Sequence, residues 1–319
     1  MNVDCEKLES RITEDLNSMV ILEASKRGSN TDVIIDALRQ DQVVLVQGLI
    51  AHEADNLIHD VAHQLDLIES LTLQSAFASS LGHRENIGKY FMSVNKRDDY
   101  QFIAPHSEGG SFTNMQLASF YCYENSSDGG ETILMNVDQD CKIWSLLREK
   151  VKRGKSKRDL TPTEIQKIRL MARLNMPEDI LRGDDEILNK TEVDPNFTVY
   201  EVLAKPVKTY SKILGKHLYV YWDNIESNDY DSAEEFYRLL KQSNLIKLPE
   251  NGLKIDLLDD SANRRVRRFG SKYAQIFKRK ITRKLLPGEL IIINNMTWCH
   301  SVNNWTPGSG IRKVAAAFA

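Results

Sequence analysis

Short runs of β-branched and aromatic residues, each bounded by turn formers, recur at both ends of this chain and limit the folds open to it. Val43-Val-Leu-Val-Gln-Gly, Tyr90-Phe-Met-Ser-Val, Gln116-Leu-Ala-Ser-Phe-Tyr-Cys-Tyr and Glu131-Thr-Ile-Leu-Met-Asn-Val read as strands in the first half. The last two are joined by Glu-Asn-Ser-Ser-Asp-Gly-Gly, a tight-turn composition. Strands are expected again at 198–203, 218–222, 289–295 and 312–319. Helical periodicity is expected over 4–27, 31–40, 55–67, 231–243 and 259–284. Residues 138–194 are highly charged and read as a helical insertion lying over the open end of a sheet. Strands at both ends with helices before and between them predict an antiparallel barrel or jelly roll buttressed by helices, in one domain over 1–319.

Bulk composition narrows the function classes. An apolar fraction of 41% and a charged fraction of 27% suit a soluble globular chain with a sizeable core. The net charge of −3 argues against bulk polyanion binding. No apolar run approaches the roughly 18 residues of a membrane span. Cys5, Cys122, Cys141 and Cys299 show no CxxC spacing, and residues 1–7 lack an apolar signal core, so a reduced, cytoplasmic protein is expected.

His106 and Glu108 lie two residues apart at the end of an apolar run, and His300 follows the run Leu290-Ile-Ile-Ile-Asn-Asn. Residues i and i+2 of a strand share a face, so His106 and Glu108 can hold adjacent corners of one metal. A distant imidazole then completes a two-His, one-carboxylate face of the kind that binds non-haem Fe(II). The pair alone says little, because with seven histidines about half a His-x-Glu is expected by chance. A surface loop and a core histidine are the bland alternatives for the three.

The wider pattern adds weight. Pro105-His-Ser-Glu-Gly-Gly, Gly129-Gly-Glu-Thr, Leu286-Pro-Gly-Glu-Leu-Ile-Ile-Ile-Asn-Asn-x-x-x-x-His and Arg312 occur in that order. This order resembles the taurine dioxygenase / clavaminate synthase-like family of Fe(II)/2-oxoglutarate-dependent oxygenases, from about residue 43 to the C-terminus. The resemblance implies a double-stranded β-helix with a helical lid insertion, mainly β with flanking helices. It implies His106, Glu108 and His300 as ligands to Fe(II), 2-oxoglutarate as cosubstrate and O2 as oxidant. Arg312 matches the family arginine that grips the distal carboxylate of 2-oxoglutarate, a task suited to a planar guanidinium fork. Thr132 matches a threonine that helps hold the cosubstrate, or it is a β-branched residue that simply suits a strand. Glu at 108, where many relatives carry Asp, is similar to clavaminate synthase and the amino-acid oxygenases near it. That points to oxidation, by default hydroxylation, of an aliphatic C–H in a small molecule such as an amino acid or natural-product intermediate. Position alone suggests Asn95, Gln101, Asn114 and Trp298 as pocket residues.

Residues 264–284 hold ten Lys and Arg and no acid. At helical spacing Arg265, Arg268, Lys272, Arg279 and Arg283 form one stripe beside Val266, Phe269, Tyr273 and Ile276. A solvated helix face explains this, and a dock for a carrier protein, nucleic acid or phosphorylated substrate is the sharper alternative. The run Lys150–Arg158 is a second basic stretch in the expected lid. A competing function is therefore a non-catalytic binding protein on the same fold that holds an anionic partner through the basic helix. The chain's overall charge makes nucleic acid the less favoured partner, and a small substrate, free or carrier-bound, the favoured one.

Overall fold

Strand-forming runs from the two ends of the sequence become neighbours in space. The structure, a computed structural model, describes residues 13–24, 31–80, 84–94, 103–145, 147–222, 225–227, 276–302, 305 and 308–319. The first elements are β1 (Thr13–Glu14), β2 (Met19–Glu23), α1 (Thr31–Arg39), β3 (Val43–Gln47), α2 (Ala51–Gln64) and α3 (Ile68–Ser80). Next come β4 (Met92–Ser93), β5 (Ile103–His106), β6 (Leu117–Glu124) and β7 (Thr132–Val137). The charged middle carries β8 (Leu147–Ser156), α4 (Pro162–Ala172), β9 (Glu186–Asp194), β10 (Phe197–Ala204), β11 (Thr209–Ser211), β12 (Lys216–Leu218) and β13 (Ile225–Ser227). The last strands are β14 (Phe277–Arg283), β15 (Leu290–Asn294), β16 (Trp298–Val302) and β17 (Lys313–Phe318).

Two sheets face each other. One is six-stranded in the order β2-β3-β15-β6-β17-β4, the other five-stranded in the order β1-β14-β7-β16-β5. β15 shows why its sequence is apolar without alternation, for both of its faces are covered. Ile291 and Ile293 point into the space between the sheets with Leu45, Phe120, Leu134 and Trp298. Leu290 and Ile292 point outward, where they pack with Ile34 and Leu38 of α1 and Ile58 and Val61 of α2. The outer face of the five-stranded sheet presents Met135 and Cys299 to Trp144, Tyr221 and Trp222. The protein is thus mainly β with helices on one flank.

Asp41, in a left-handed conformation (φ 59°) just past α1, ties the second sheet to the first layer. Its carboxylate accepts from Thr297 Oγ1 and from Asn136 Nδ2 (3.2 Å), and lies 3.8 Å from Arg279 Nη2. Its carbonyl accepts from Trp298 Nε1 at 3.1 Å. Four side chains from β7, β14, the β15–β16 turn and the start of β16 therefore converge on one residue, which satisfies polar groups that would otherwise be costly to bury.

Several sequence expectations need correction. The helix expected over 4–27 is absent from its described part: residues 19–23 form β2, which pairs in parallel with β3, because Val20-Ile21-Leu22 finds a sheet edge to extend. The segment 138–194 is not mainly helical. It holds the long strands β8 and β9 around one helix, with α4 started by Pro162 and a box in which Thr161 and Glu164 exchange hydrogen bonds. β9 is an edge strand exposed along its length, which is why its charges misled a periodicity argument. The helix expected over 259–284 gives way at 277–283 to β14, where Phe277 and Ile281 are buried among exposed and half-buried basic residues. The strand expected over 218–222 is reduced to its first residue, the end of β12. The helix expected over 231–243, the residues 264–275 and the positions Asn95 and Gln101 lie outside the described residues. Among the described residues no helix is long and apolar enough to cross a membrane.

Ile291 has no exposed surface and packs between the sheets. Ile291→Ala should cost about 2–5 kcal/mol in urea unfolding, through lost transfer energy plus a cavity. Leu170→Ala, at a position 75% exposed on α4, should stay within about 0.5 kcal/mol of wild type. Equal effects would contradict this placement of the core.

Candidate metal centre

Antiparallel pairing of β5 with β16 sets His106 directly opposite His300. Directly opposed residues on one face bring their side chains together, and here the ring centroids are 4.5 Å apart at 51°. Both imidazoles are almost fully buried. Glu108 sits in the bend just past β5 rather than within the strand, and its side chain turns back on the pair. Its Oε2 lies 3.6 Å from His106 Nε2 and 3.8 Å from His300 Nε2. One ligand atom from each of the three falls within 4.8 Å of the others. That is a two-nitrogen, one-oxygen donor set on one side of a point in space, the arrangement that suits non-haem Fe(II).

The backbone around Glu108 is held from the β15–β16 turn. Asn295, fully buried, accepts from Glu108 N through Oδ1 (3.0 Å). Its Nδ2 donates to Glu108 O (3.0 Å) and to Met115 O (2.8 Å). Ser107, between His106 and Glu108, faces the other side: its N donates to Tyr221 O (2.8 Å) and its Oγ lies 3.6 Å from Cys299 Sγ. Burial pushes the Cys299 thiol up to about 12, so it is a packing residue rather than a thiolate ligand. Phe120, 4.7 Å from the His300 ring, and Phe318 give the centre an apolar wall.

Arg312 and Thr132 come together as a second polar group. Arg312 Nε donates to Gly130 O (3.2 Å), and its Nη2 reaches Thr132 Oγ1 (3.4 Å). Gly130, at φ 76°, leaves room for this, since a Cβ there would stand 2.5 Å from Asn125 Oδ1 and 3.4 Å from Arg312 Cδ. Burial pushes the guanidinium down to about 10, against the opposing influence of Cys122 and Glu131. Among the described residues no carboxylate is in ion-pairing contact with it. Trp298 lies instead in the core between the sheets, covered by the Arg279 guanidinium at 5.2 Å. Asn114 takes a left-handed turn conformation (φ 45°) and accepts from Gln116 Nε2. The sequence reasoning overlooked Asn295, Asp41 and Arg84, whose Nη2 donates to Glu108 Oε1 at 3.0 Å. Asn295 was visible only as a letter of the Ile-Ile-Ile-Asn-Asn motif, and nothing around Arg84 marked it.

No protein-family model and no curated protein matches the chain. Among solved structures it is similar to AAD-2 in complex with Mn(II) and N-oxalylglycine, at 13% identity and TM-score 0.39, covering 94% of this chain and 93% of that one. It is also similar to PvcB from Pseudomonas aeruginosa (11% identity, TM-score 0.42, 94% and 85% covered). A third is asparagine oxygenase in complex with Fe(II), 2S,3S-3-hydroxyasparagine and succinate (12% identity, TM-score 0.40, 90% and 78% covered).

Asn295→Ala deletes three hydrogen bonds around Glu108, each worth roughly 0.5–1.5 kcal/mol. Urea unfolding should register a loss of about 2–4 kcal/mol. A loss below about 1 kcal/mol would show that Glu108 is held by other means.

Proposed function

We propose that this chain is an Fe(II)- and 2-oxoglutarate-dependent dioxygenase built as one domain on a double-stranded β-helix. The convergence of His106, Glu108 and His300 beside the Phe120 and Phe318 rings, with both imidazoles buried, carries this reading. Two imidazole nitrogens and a carboxylate oxygen brought within 4.8 Å of one another make the mixed donor set that suits a divalent iron. Bound Fe(II), with 2-oxoglutarate and O2, would supply the oxidation of an aliphatic C–H, with release of succinate and CO2.

The chain's own residues supply position and exclusion. His106 and His300 would present Nε2, and Glu108 Oε2, to one face of the metal, leaving the opposite face to cosubstrate and O2. Thr132 pairs with Val302, two residues along from His300, and His300 pairs with the neighbouring Leu134. One strand across and two residues along is roughly 8 Å, a span that a five-carbon diacid bridges. Arg312 beside Thr132 would therefore take the distal carboxylate while the keto acid end reaches the metal. A half-buried guanidinium that meets a carbonyl and a hydroxyl among the described residues fits an anion, and its planar fork suits a bidentate pair. Phe120 and Phe318 would keep water from the reacting atoms.

A small-molecule substrate suits the buried pocket, and the glutamate ligand favours an amino acid or a related intermediate. The segment 138–194, with its strands, would border the entrance. The competing reading as a binder loses support where it can be inspected: Arg279 pairs with Asp15 and Asp41, and Arg283 with Glu289, so neither is reserved for a partner.

Anaerobic optical titration with Fe(II) and 2-oxoglutarate, followed by a compound screen for succinate release, tests the proposal. His106→Ala or His300→Ala should abolish iron binding at working concentrations with the fold retained, and full turnover in either would sink the ligand assignment. Arg312→Ala should spare iron and raise the Michaelis constant for 2-oxoglutarate by about one to two decades, the worth of a charge-assisted pair of roughly 1.5–3 kcal/mol. Thr132→Val should act in the same direction and less. An unchanged constant in Arg312→Ala would move the cosubstrate anchor elsewhere.

A further inference from the structure

We infer that Arg84 is a positioning residue for the metal's carboxylate ligand, holding Glu108 Oε1 so that Oε2 is the oxygen offered to the metal. The inference rests on the metal centre proposed above and adds to it a residue from outside the motifs. Glu reaches its carboxylate through one more rotatable bond than Asp, so a glutamate ligand has more freedom to lose when it binds. In this structure the two oxygens are already distinguished. Oε1 accepts from Arg84 Nη2 at 3.0 Å, while Oε2 lies 3.6 and 3.8 Å from the two imidazole Nε2 atoms. Both partners of the Arg84–Glu108 pair are only 15% exposed.

A cation that merely balanced charge would not need a rigid mount, and Arg84 has one. Its guanidinium lies over the Phe318 ring at 5.4 Å. The loop that carries it is closed by Glu85 N to Ser93 Oγ (2.9 Å), Ser93 N to Glu85 O (2.8 Å) and Ile87 N to Phe91 O (2.9 Å). Asp55 on α2 accepts from the backbone N–H groups of Lys89, Tyr90 and Phe91. Gly88 permits this approach, since a Cβ there would fall 2.1 Å from Asp55 Oδ2. Ser93 in β4 pairs with Ala315 in β17, the strand that ends in Phe318. Helix, loop and sheet edge thus fix one guanidinium against one carboxylate oxygen.

The test uses the full chain loaded with Co(II), whose visible ligand-field spectrum reports ligand geometry without turnover. Arg84→Ala should displace that spectrum and weaken Co(II) binding about tenfold, the usual cost of removing a partner that orients a ligand. Arg84→Lys keeps the charge but not the fork, so it should recover part of the affinity and still shift the spectrum. Spectra and affinities that coincide with wild type in both variants would overturn the inference. So would tighter Co(II) binding in Arg84→Ala, which would make Arg84 only a repelling cation. If Arg84→Ala does not fold by circular dichroism, Arg84→Lys decides alone on its spectrum. A His106→Ala control separates the two proposals: if it binds Co(II) as wild type does, the metal centre itself is wrong and the role of Arg84 falls with it.

Discussion

The register between β5 and β16 is the constraint on which the site depends. His106 opposes His300 only because β16 is fixed on its other side by β7, where Trp298, His300 and Val302 pair with Asn136, Leu134 and Thr132. A slip of one residue would carry an imidazole to the opposite face, because side chains alternate strictly along a strand. The neighbours of the ligands show the alternation at work. Ser107 and Cys299, each one residue from a candidate ligand, meet each other on the far side among Trp222, Met135 and Tyr221. A well-packed outer face is therefore what keeps the inner face aligned.

That register is in turn held by polar residues at the ends of strands. Asp41 gathers Thr297, Asn136 and Trp298 beside the β15–β16 turn, and Asn295 within that turn reaches Glu108 and Met115. At the other end of β15, the buried Glu289 accepts from Gln47 Nε2 (2.6 Å), Leu286 N (2.9 Å) and Arg283. Each of these buried groups is met by several partners, the condition under which a polar group inside a sandwich rigidifies it. Hydrophobic burial brings the sheets together, and these few groups choose which residues end up opposite one another.

This division explains what could be read in the sequence. The central strands were legible because an apolar run such as Leu290–Ile293 must be covered on both faces, and the candidate triplet His106, Glu108 and His300 because its residue types and order are chemically specific. The strands β8, β9 and β14 were not. Their Lys, Arg and Glu residues alternate with few apolar ones, so periodicity favoured helices, while the partner strands that stabilise them are remote in sequence. Residues such as Asp41, Asn295 and Arg84 carry no local signal at all. Their meaning lies in hydrogen bonds to groups 24 to 257 positions away, which only the fold brings into reach.

The two arginines near the pocket show how environment separates roles that sequence leaves alike. Arg84 is joined to a carboxylate of its own chain and lies over the Phe318 ring, so its charge has a partner within the fold. Arg312 is held by a carbonyl and a hydroxyl, neutral acceptors that orient a guanidinium without cancelling its charge. Burial pushes the Arg312 guanidinium down to about 10, because losing water disfavours its charged form. Arg84 is turned towards a carboxylate of its own chain, and Arg312 towards the neutral oxygens of Gly130 and Thr132.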